Sequence, residues 1–253
     1  MFCFMFRKLV YCSHPFYISM SSKAALSVLK TAMREAENVP VVFHMDCTFK
    51  CNLNEFPVLV FGVSDAQQQF HVLSMSVISH LSKEMYEDML ISFKRLITHV
   101  VPEISFNPEY GMTDCEVAER YVIYILSNVF QNQIAFYITF CNLFPFQNRD
   151  ALLSIYPSVK HLMCYFHVVK NCKDHLKTFP KEVQKTILCD IQFLHSSTSE
   201  EDFSVREVTM LRKWYELAPD FVRYFNCQWN ADNSFSNWKI FCSKPGKSVH
   251  NNG

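Results

Sequence analysis

The chain has 253 residues, with 24 basic and 24 acidic side chains, so its formal net charge is zero. Hydrophobic residues make up 49% and charged residues 19%, which excludes a wholly disordered chain and allows one large or two small domains. The four glycines form neither a GxGxxG nor a GxxxxGK[ST] pattern, which argues against a glycine-rich phosphate loop. Any nucleic-acid contact must therefore depend on a local basic patch.

The cysteine content and the N-terminus bear on the compartment. Eleven cysteines is an odd number without the even framework of a secreted disulfide domain, so a reducing interior is predicted. The first twenty residues loosely resemble a signal peptide, which keeps secretion as an alternative. However, Arg7 and Lys8 interrupt the apolar run, and no clear cleavage site follows.

The order of the predicted elements indicates the fold class. Helices are expected at 21–36 and at Lys83–Val101, and Ser21 or Ser22 is the expected cap of the first helix. Strands are expected at 39–49, 56–65, 70–79 and Tyr110–Thr113. The second helix places Met85, Met89, Phe93 and Leu96 at helical spacing. The resulting order β-β-β-α-β is that of the opening of the ribonuclease H-like fold. We therefore predict an α/β protein with a mixed sheet.

Residues 121–146 contain no charged side chain and interrupt this pattern. An insertion foreign to the fold is the preferred interpretation, because the flanking segments otherwise read as one helix that leads into a strand. A buried helix pair and a membrane segment are the alternatives.

The rest of the chain is predicted to be largely helical. A strand is expected at 159–166, a helix at His167–Leu176, and a polar helical region at 181–218 that is broken at 195–202. The predicted domains are an N-terminal extension with a helix at 1–37, a core at 38–180 interrupted at 121–146, and a helical region at 181–253 that ends early.

Two aspartates are the candidate catalytic residues and metal ligands. Asp46 follows Val42 and His44 on one face of an apolar strand, where an uncompensated carboxylate is costly. Asp114 lies where a strand ends and a helix begins. The alternatives are a turn-starting Asp46 and a helix-capping Asp114. Because adjacent carboxylates repel each other, the pair favours a divalent cation, Mg²⁺ or Mn²⁺, for phosphoryl transfer.

Cys164 and His167 begin a C-x2-H-x4-C-x2-H pattern that continues to Cys172 and His175. On one straight helix the outer two positions lie about 16 Å apart, which does not suit four ligands of one tetrahedral Zn²⁺. A Zn²⁺ site would need Cys164 and His167 together with ligands from elsewhere. The alternative is a buried cysteine and an amphipathic histidine.

The segment from Lys160 to Lys185 carries six lysines against two acidic residues. Aromatic residues are interleaved with them, so this segment is the best candidate for contact with the phosphate backbone of DNA. The residues predicted to bind DNA are Lys170, Lys173 and Lys177. A solvated helix face is the alternative.

Taken together, these segments resemble the transposase domain of Mutator-like elements, the MULE transposases. The matching segments are D-C-T-F-K-C-N at 46–52, the strand at 56–65, the helix around 86–96, M-T-D-C-E at 112–116, and Y-P-S-V-K-H-L-M-C-Y-F-H at 156–167. The resemblance covers about 38–120 and 147–180. It implies a ribonuclease H-like core whose DDE carboxylates bind divalent metal, cut DNA and join ends. Asp46 and Asp114 would be the first two acids, and Cys164 with His167 the family's C-x2-H motif.

The sequence departs from the family pattern at two places. The interval from Asp114 to Cys164 is longer, and the uncharged 121–146 segment accounts for the excess. The family's late T-N-N-x-x-E block corresponds to 231–236, where Ser236 stands at the glutamate position and Asp232 lies four positions earlier. A site with two carboxylates binds metal more weakly, so the resemblance implies a degenerate transposase.

Three functions remain open. The preferred one is a transposase-derived domain that acts on DNA in the nucleus or cytoplasm, with homo-oligomers expected and no stable membrane association. The second is a non-catalytic DNA- or protein-binding module that retains the scaffold. The third is a membrane protein anchored by 121–146.

Overall fold

A computed structural model describes residues 3–8, 15–35, 41–65, 67, 69–114, 147–231 and 235–243. The strands in these ranges are β1 (Cys3–Lys8), β2 (Tyr17–Ser22), β3 (Val42–Thr48), β4 (Val58–Ser64), β5 (Phe70–Ile78), β6 (Tyr110–Thr113) and β7 (Lys160–Met163). The α-helices are α1 (Lys23–Glu35), α2 (Lys83–Val100), α3 (Gln147–Ile155), α4 (Tyr165–Leu176), α5 (Lys181–His195), α6 (Glu200–Leu217) and α7 (Pro219–Phe225). The predicted α/β class is confirmed.

All the described strands belong to one mixed sheet in the order β1-β2-β5-β4-β3-β6-β7. The strands β3, β4 and β5 are antiparallel neighbours, as short connections between consecutive strands allow. The strand β6 returns beside β3 and is parallel to it, after the crossover helix α2. The interior strand β3 therefore has an antiparallel neighbour on one side and a parallel neighbour on the other.

The N-terminal strands β1 and β2 extend the sheet, although no strand was predicted before residue 39. The strand β2 pairs with β5 and alternates buried and more exposed side chains. The hydroxyl of Ser19 lies 2.6 Å from that of Ser76, so these buried polar groups satisfy each other across the two strands. Ser22 ends β2 and accepts a hydrogen bond from the main-chain N–H of Ala25, which confirms the predicted serine cap of α1.

The core of the first unit lies between the sheet and the helices. The four apolar residues predicted to share one face of α2 are all buried, which confirms the helical periodicity. Aromatic rings from β3, β4, α2, the connection between α2 and β6, and the residue after α3 contact one another at centroid distances of 5.1–6.3 Å. These rings belong to Phe43, Phe61, Phe93, Phe106 and Tyr156.

The chain divides into two compact units, Met1–His161 and Leu162–Gly253, instead of dividing at the predicted residue 180. The helix α4 packs with α5 and α7, which explains why it groups with the C-terminal helices. It begins at Tyr165, two residues before the predicted start, so β7 is shorter than the predicted strand.

Buried aromatic residues organise the second unit. Trp214, Trp229 and Trp238 are fully buried, and the indole N–H of Trp238 donates to the main-chain oxygen of Trp229. The rings of Tyr165 and His195 stack at 3.6 Å, which ties the first turn of α4 to the last turn of α5. The break predicted at 195–202 separates α5 from α6, and Ser199 caps α6.

Two predicted features lie outside the described residues: the uncharged segment 121–146 and Asp232. Among the helices that are described, none is long and apolar enough to span a membrane.

Candidate metal centre

The register between β3 and β6 places the two candidate aspartates opposite each other. The parallel pairs run from Val42 with Tyr110 to Met45 with Thr113, at a constant offset. The next position on each chain is Asp46 and Asp114 respectively. Residues at the same register position on adjacent strands project from the same face of a sheet. The two carboxylates therefore lie side by side, on the face opposite Phe43 and Met45.

The distance between these carboxylates suits one shared cation. An oxygen of Asp46 and an oxygen of Asp114 lie within 4.8 Å of each other. Mg²⁺ binds oxygen at about 2.1 Å, so two oxygens that share one octahedral ion lie between about 3.0 and 4.2 Å apart. A side-chain adjustment of less than about 2 Å would therefore allow the carboxylates to share an ion. Paired hard oxygen donors are also the chemistry that Mg²⁺ and Mn²⁺ prefer.

Burial makes two negative charges at this place costly without compensation. Asp114 is 4% exposed, and Asp46 is half-buried at the end of the apolar part of β3. At an effective dielectric constant of about 20, two unit charges 4.8 Å apart repel by about 3.5 kcal/mol. A bound divalent cation would attract both carboxylates and so outweigh their repulsion, whereas a proton shared between the carboxylates would only remove the repulsion.

Asn148 holds the Asp114 carboxylate and was missed by the sequence analysis. Its side-chain amide donates to Asp114 Oδ1 at 2.9 Å and to the main-chain oxygen of Asp114 at 3.3 Å. Asn148 is itself buried, in the first turn of α3. The signal that could have found it is a polar residue at the start of a helix whose other buried positions, Ala151 and Leu152, are apolar. Its pairing with Asp114 could not be read from local sequence.

A second polar side chain shares the face of β3 that carries Asp46. His44 is fully buried, and its Nε2 lies 2.7 Å from the hydroxyl of Ser64 on β4. The ring of Phe70 packs edge-on against the imidazole. His44 is therefore fixed in the sheet by packing and a hydrogen bond, so it supports the strand that carries Asp46.

The second unit contains Cys164 and His167, which flank the start of α4. Cys164 is fully buried and precedes the helix, and its main-chain oxygen accepts from the N–H groups of His167 and Val168. Burial, and to a smaller extent the charge of Lys170, lower the pKa of His167 to about 4. The imidazole is therefore neutral at physiological pH, the form that binds metal ions.

The remaining members of the C-x2-H-x4-C-x2-H pattern serve packing. Burial raises the pKa of the Cys172 thiol, which opposes the thiolate form that a metal needs. The ring of His175 stacks on Tyr224 at 3.5 Å. Among the described residues, no group of three or more close ligand atoms contains Cys164, so the alternative of a Zn²⁺ site gains no support.

The predicted DNA-binding lysines lie on or just beyond α4. Lys170, Lys173 and Lys177 are all exposed. Lys177 forms an ion pair with Asp174 at 2.7 Å. Their exposure is compatible both with contact to a polyanion and with a solvated helix face, so their role stays a prediction.

Ser236 occupies the position at which the resemblance expects the third acid. It is half-buried, and its main-chain oxygen accepts from the N–H of Trp238. A serine hydroxyl carries no negative charge and is a weaker ligand for Mg²⁺ than a carboxylate.

The sequence matches no protein-family model, and a search of curated proteins finds no matching relative.

Proposed function

We propose that this chain is a degenerate MULE-type transposase domain, in which Asp46 and Asp114 retain a binding site for Mg²⁺ or Mn²⁺. The ancestral reaction is metal-dependent cleavage of DNA and strand transfer. The observation that carries the proposal is the pair of carboxylate oxygens within 4.8 Å on adjacent parallel strands. Two acids from segments so distant in sequence meet only because of the fold.

The topology supports a ribonuclease H-like core. The strands β3, β4 and β5 are antiparallel neighbours, and β6 lies parallel to β3 on its other side. The first acid lies near the end of the interior strand β3, and the second follows β6 directly. This is the placement that the resemblance to the MULE transposases implies for their first two acids.

The residues of the chain have distinct roles in this proposal. Asp46 and Asp114 each offer a carboxylate oxygen, and Asn148 fixes the orientation of Asp114 through its amide. Asp114 is buried, so little water reaches its carboxylate. The low local dielectric constant strengthens the attraction between this carboxylate and a cation. A bound Mg²⁺ supplies activation of a water or a 3′-hydroxyl and charge stabilisation at the phosphate.

Ser236 favours a second candidate function, a binding module without catalysis. On the family alignment this serine replaces the glutamate that completes the carboxylate set. A site with two acids holds one cation weakly and cannot position two. The scaffold and its basic surface would then serve only to bind DNA or a protein.

Calorimetric titration with MnCl₂ tests the proposal directly. The wild-type chain should take up one ion per chain, and both Asp46→Asn and Asp114→Asn should abolish the binding heat. Asp220→Asn is the matched control, because Asp220 is an exposed aspartate on α7 that pairs with Arg223. It should bind Mn²⁺ as the wild type does.

Thermal denaturation with and without Mn²⁺ provides a second readout. Without the ion, both Asn variants should unfold cooperatively, as the wild type does, which shows that they remain folded. With the ion, only the wild type and the control should gain stability. Absence of Mn²⁺ uptake by a folded wild-type chain that still binds DNA would establish the binding module instead.

A further inference from the structure

An open groove of about 550 Å³ runs between α4 and α5 in the second unit. Its apolar floor includes Val169 on α4 and Leu188 on α5. Lys173 lines the wall formed by α4, and Lys181 and Lys185 line the wall formed by α5. The groove thus combines three cations from two helices with an apolar surface between them.

No acidic residue lines this groove. Two of the acids on the same segment are engaged elsewhere: Asp174 pairs with Lys177, and Asp190 binds Lys213 and the indole N–H of Trp214. Within the described residues, the three groove lysines form no ion pair and are exposed. The third acid of this segment, Glu182, lies next to Lys181 in the first turn of α5 but does not line the groove. The lining residues therefore carry three positive charges and no negative charge.

The start of α5 adds to this positive potential. Lys181 is the first residue of α5, and no side chain caps that helix end. The first N–H groups of a helix carry a partial positive charge that attracts anions. Lys181 and Lys185 lie one helical turn apart, so they extend this positive end along the groove.

The walls of the groove are held in place by packing and hydrogen bonds. The ring of Tyr165, a lining residue, stacks on His195 and so joins the two helices. The amide of Gln184 donates to the main-chain oxygen of Phe179, which fixes the connection before α5. The lysines are thus presented from a rigid frame, which lowers the entropy cost of binding a ligand.

We propose that the groove between α4 and α5 binds the phosphate backbone of duplex DNA through Lys173, Lys181 and Lys185. The apolar floor would contact deoxyribose, and the lysines would contact phosphates on either side. This assignment differs from the predicted set, because Lys170 and Lys177 do not line the groove. It rests on the proposed function only for the choice of DNA as the polyanion.

Fluorescence anisotropy with a labelled duplex of mixed sequence tests this surface in the full-length chain. The buffer contains EDTA, so binding is measured independently of the metal centre. The test variant replaces Lys173, Lys181 and Lys185 by Gln, which removes the charge and keeps a good helix former. The control variant replaces Lys23, Arg34 and Arg95 by Gln, three exposed cations of the first unit.

The salt dependence of binding gives the expected magnitude. Each phosphate contact contributes about 0.9 to the slope of log K against log[salt], so the test variant should lose about 2.7 of that slope. Its affinity at about 0.1 M salt should fall tenfold or more. The control should lose less than about 1 unit of slope, and replacement of the three groove lysines by Arg should restore binding.

Several results would overturn the groove assignment. One is equal loss of affinity in the test and control variants, which would assign binding to net charge alone. Another is that inorganic phosphate displaces the labelled duplex as effectively as unlabelled duplex does when the two competitors are compared at equal concentrations of phosphate groups. That result would indicate a site for a single phosphate group.

The two proposals fail separately. The wild type should bind DNA in EDTA, where no ion occupies the metal centre, and the groove variant should still take up Mn²⁺. Loss of Mn²⁺ uptake alone would therefore leave the groove assignment standing. Wild-type protein that takes up Mn²⁺ but binds no duplex would refute the groove and retain the metal centre.

Discussion

Replacement of Asn148 by Ala tests whether this residue organises the candidate metal centre. Asn148 is buried, and its amide makes two hydrogen bonds to Asp114, one to the carboxylate and one to the main chain. Removal of the amide leaves the Asp114 carboxylate with one donor fewer at a position from which water is largely excluded. The stability of the first unit should fall, and the loss should depend on the charge of Asp114.

The magnitude follows from the geometry of the two bonds. The bond to Oδ1 is 2.9 Å long and charge-assisted, and such bonds contribute about 1.5–3 kcal/mol. The bond to the main-chain oxygen is 3.3 Å long and contributes about 0.5 kcal/mol. We therefore expect Asn148→Ala to lower the free energy of unfolding by about 2–3.5 kcal/mol at neutral pH without metal. In an Asp114→Asn background the same change should cost only about 1 kcal/mol, because the bond is no longer charge-assisted.

Urea denaturation followed by circular dichroism measures all four members of this double-mutant cycle. Asn107→Ala is the matched control, since Asn107 is exposed and makes only a 3.4 Å contact with Ser105. It should stay within about 0.5 kcal/mol of the wild type. The reasoning is refuted if Asn148→Ala is as mild as Asn107→Ala, or if its cost is the same with and without the Asp114 charge.

Two further predictions concern the sheet. A Cβ added at Gly111 would lie 2.6 Å from a methyl group of Leu152, so Gly111→Ala should cost about 1–3 kcal/mol in urea denaturation. Combining it with Leu152→Val should cost less than the sum of the two single changes. At the β4–β5 turn, burial raises the pKa of Asp65, but hydrogen bonds from His71 and Gln69 and the charge of His71 lower it overall. Because the pKa of Asp65 is lower in the folded state than in the unfolded state, its carboxylate stabilises the fold at pH values above the unfolded-state pKa. Asp65→Asn should therefore destabilise the chain at neutral pH. The difference in the free energy of unfolding between the variant and the wild type should vanish as the pH falls through the folded-state pKa. A constant difference from neutral to acidic pH would contradict this assignment.

The parts of the fold that were predicted correctly are those set by local patterns. The apolar residues of α2 recur at helical spacing, and this alone fixes which face is buried. Six of the eleven residues at 39–49 are β-branched or aromatic, which favours a strand. By contrast, β2 contains buried serines whose hydroxyls need partners on β5. The formation of β2 therefore depends on its pairing with β5, which cannot be recognised from the local sequence.

The candidate site was predicted only in part for the same reason. Asp46 and Asp114 are recognisable because each carboxylate falls in or beside an apolar strand. Asn148 lies beyond the uncharged segment that follows Asp114 in the chain, and nothing in its own surroundings indicates a partner. The groove on α4 and α5 combines lysines from two helices, whereas the predicted lysines lie on or just beyond one helix.

Packing on the opposite face of the sheet determines where the two carboxylates meet. Phe43 stands opposite Gly111 in the β3–β6 register, and Gly111 provides the space into which Leu152 packs. A slip of β6 by one residue would place a side chain in that space, and it would also turn Asp114 to the other face. The core therefore penalises a one-residue slip of β6, which would separate Asp46 from Asp114. Selection for a well-packed core can therefore keep the two carboxylates paired whether or not they bind a metal ion.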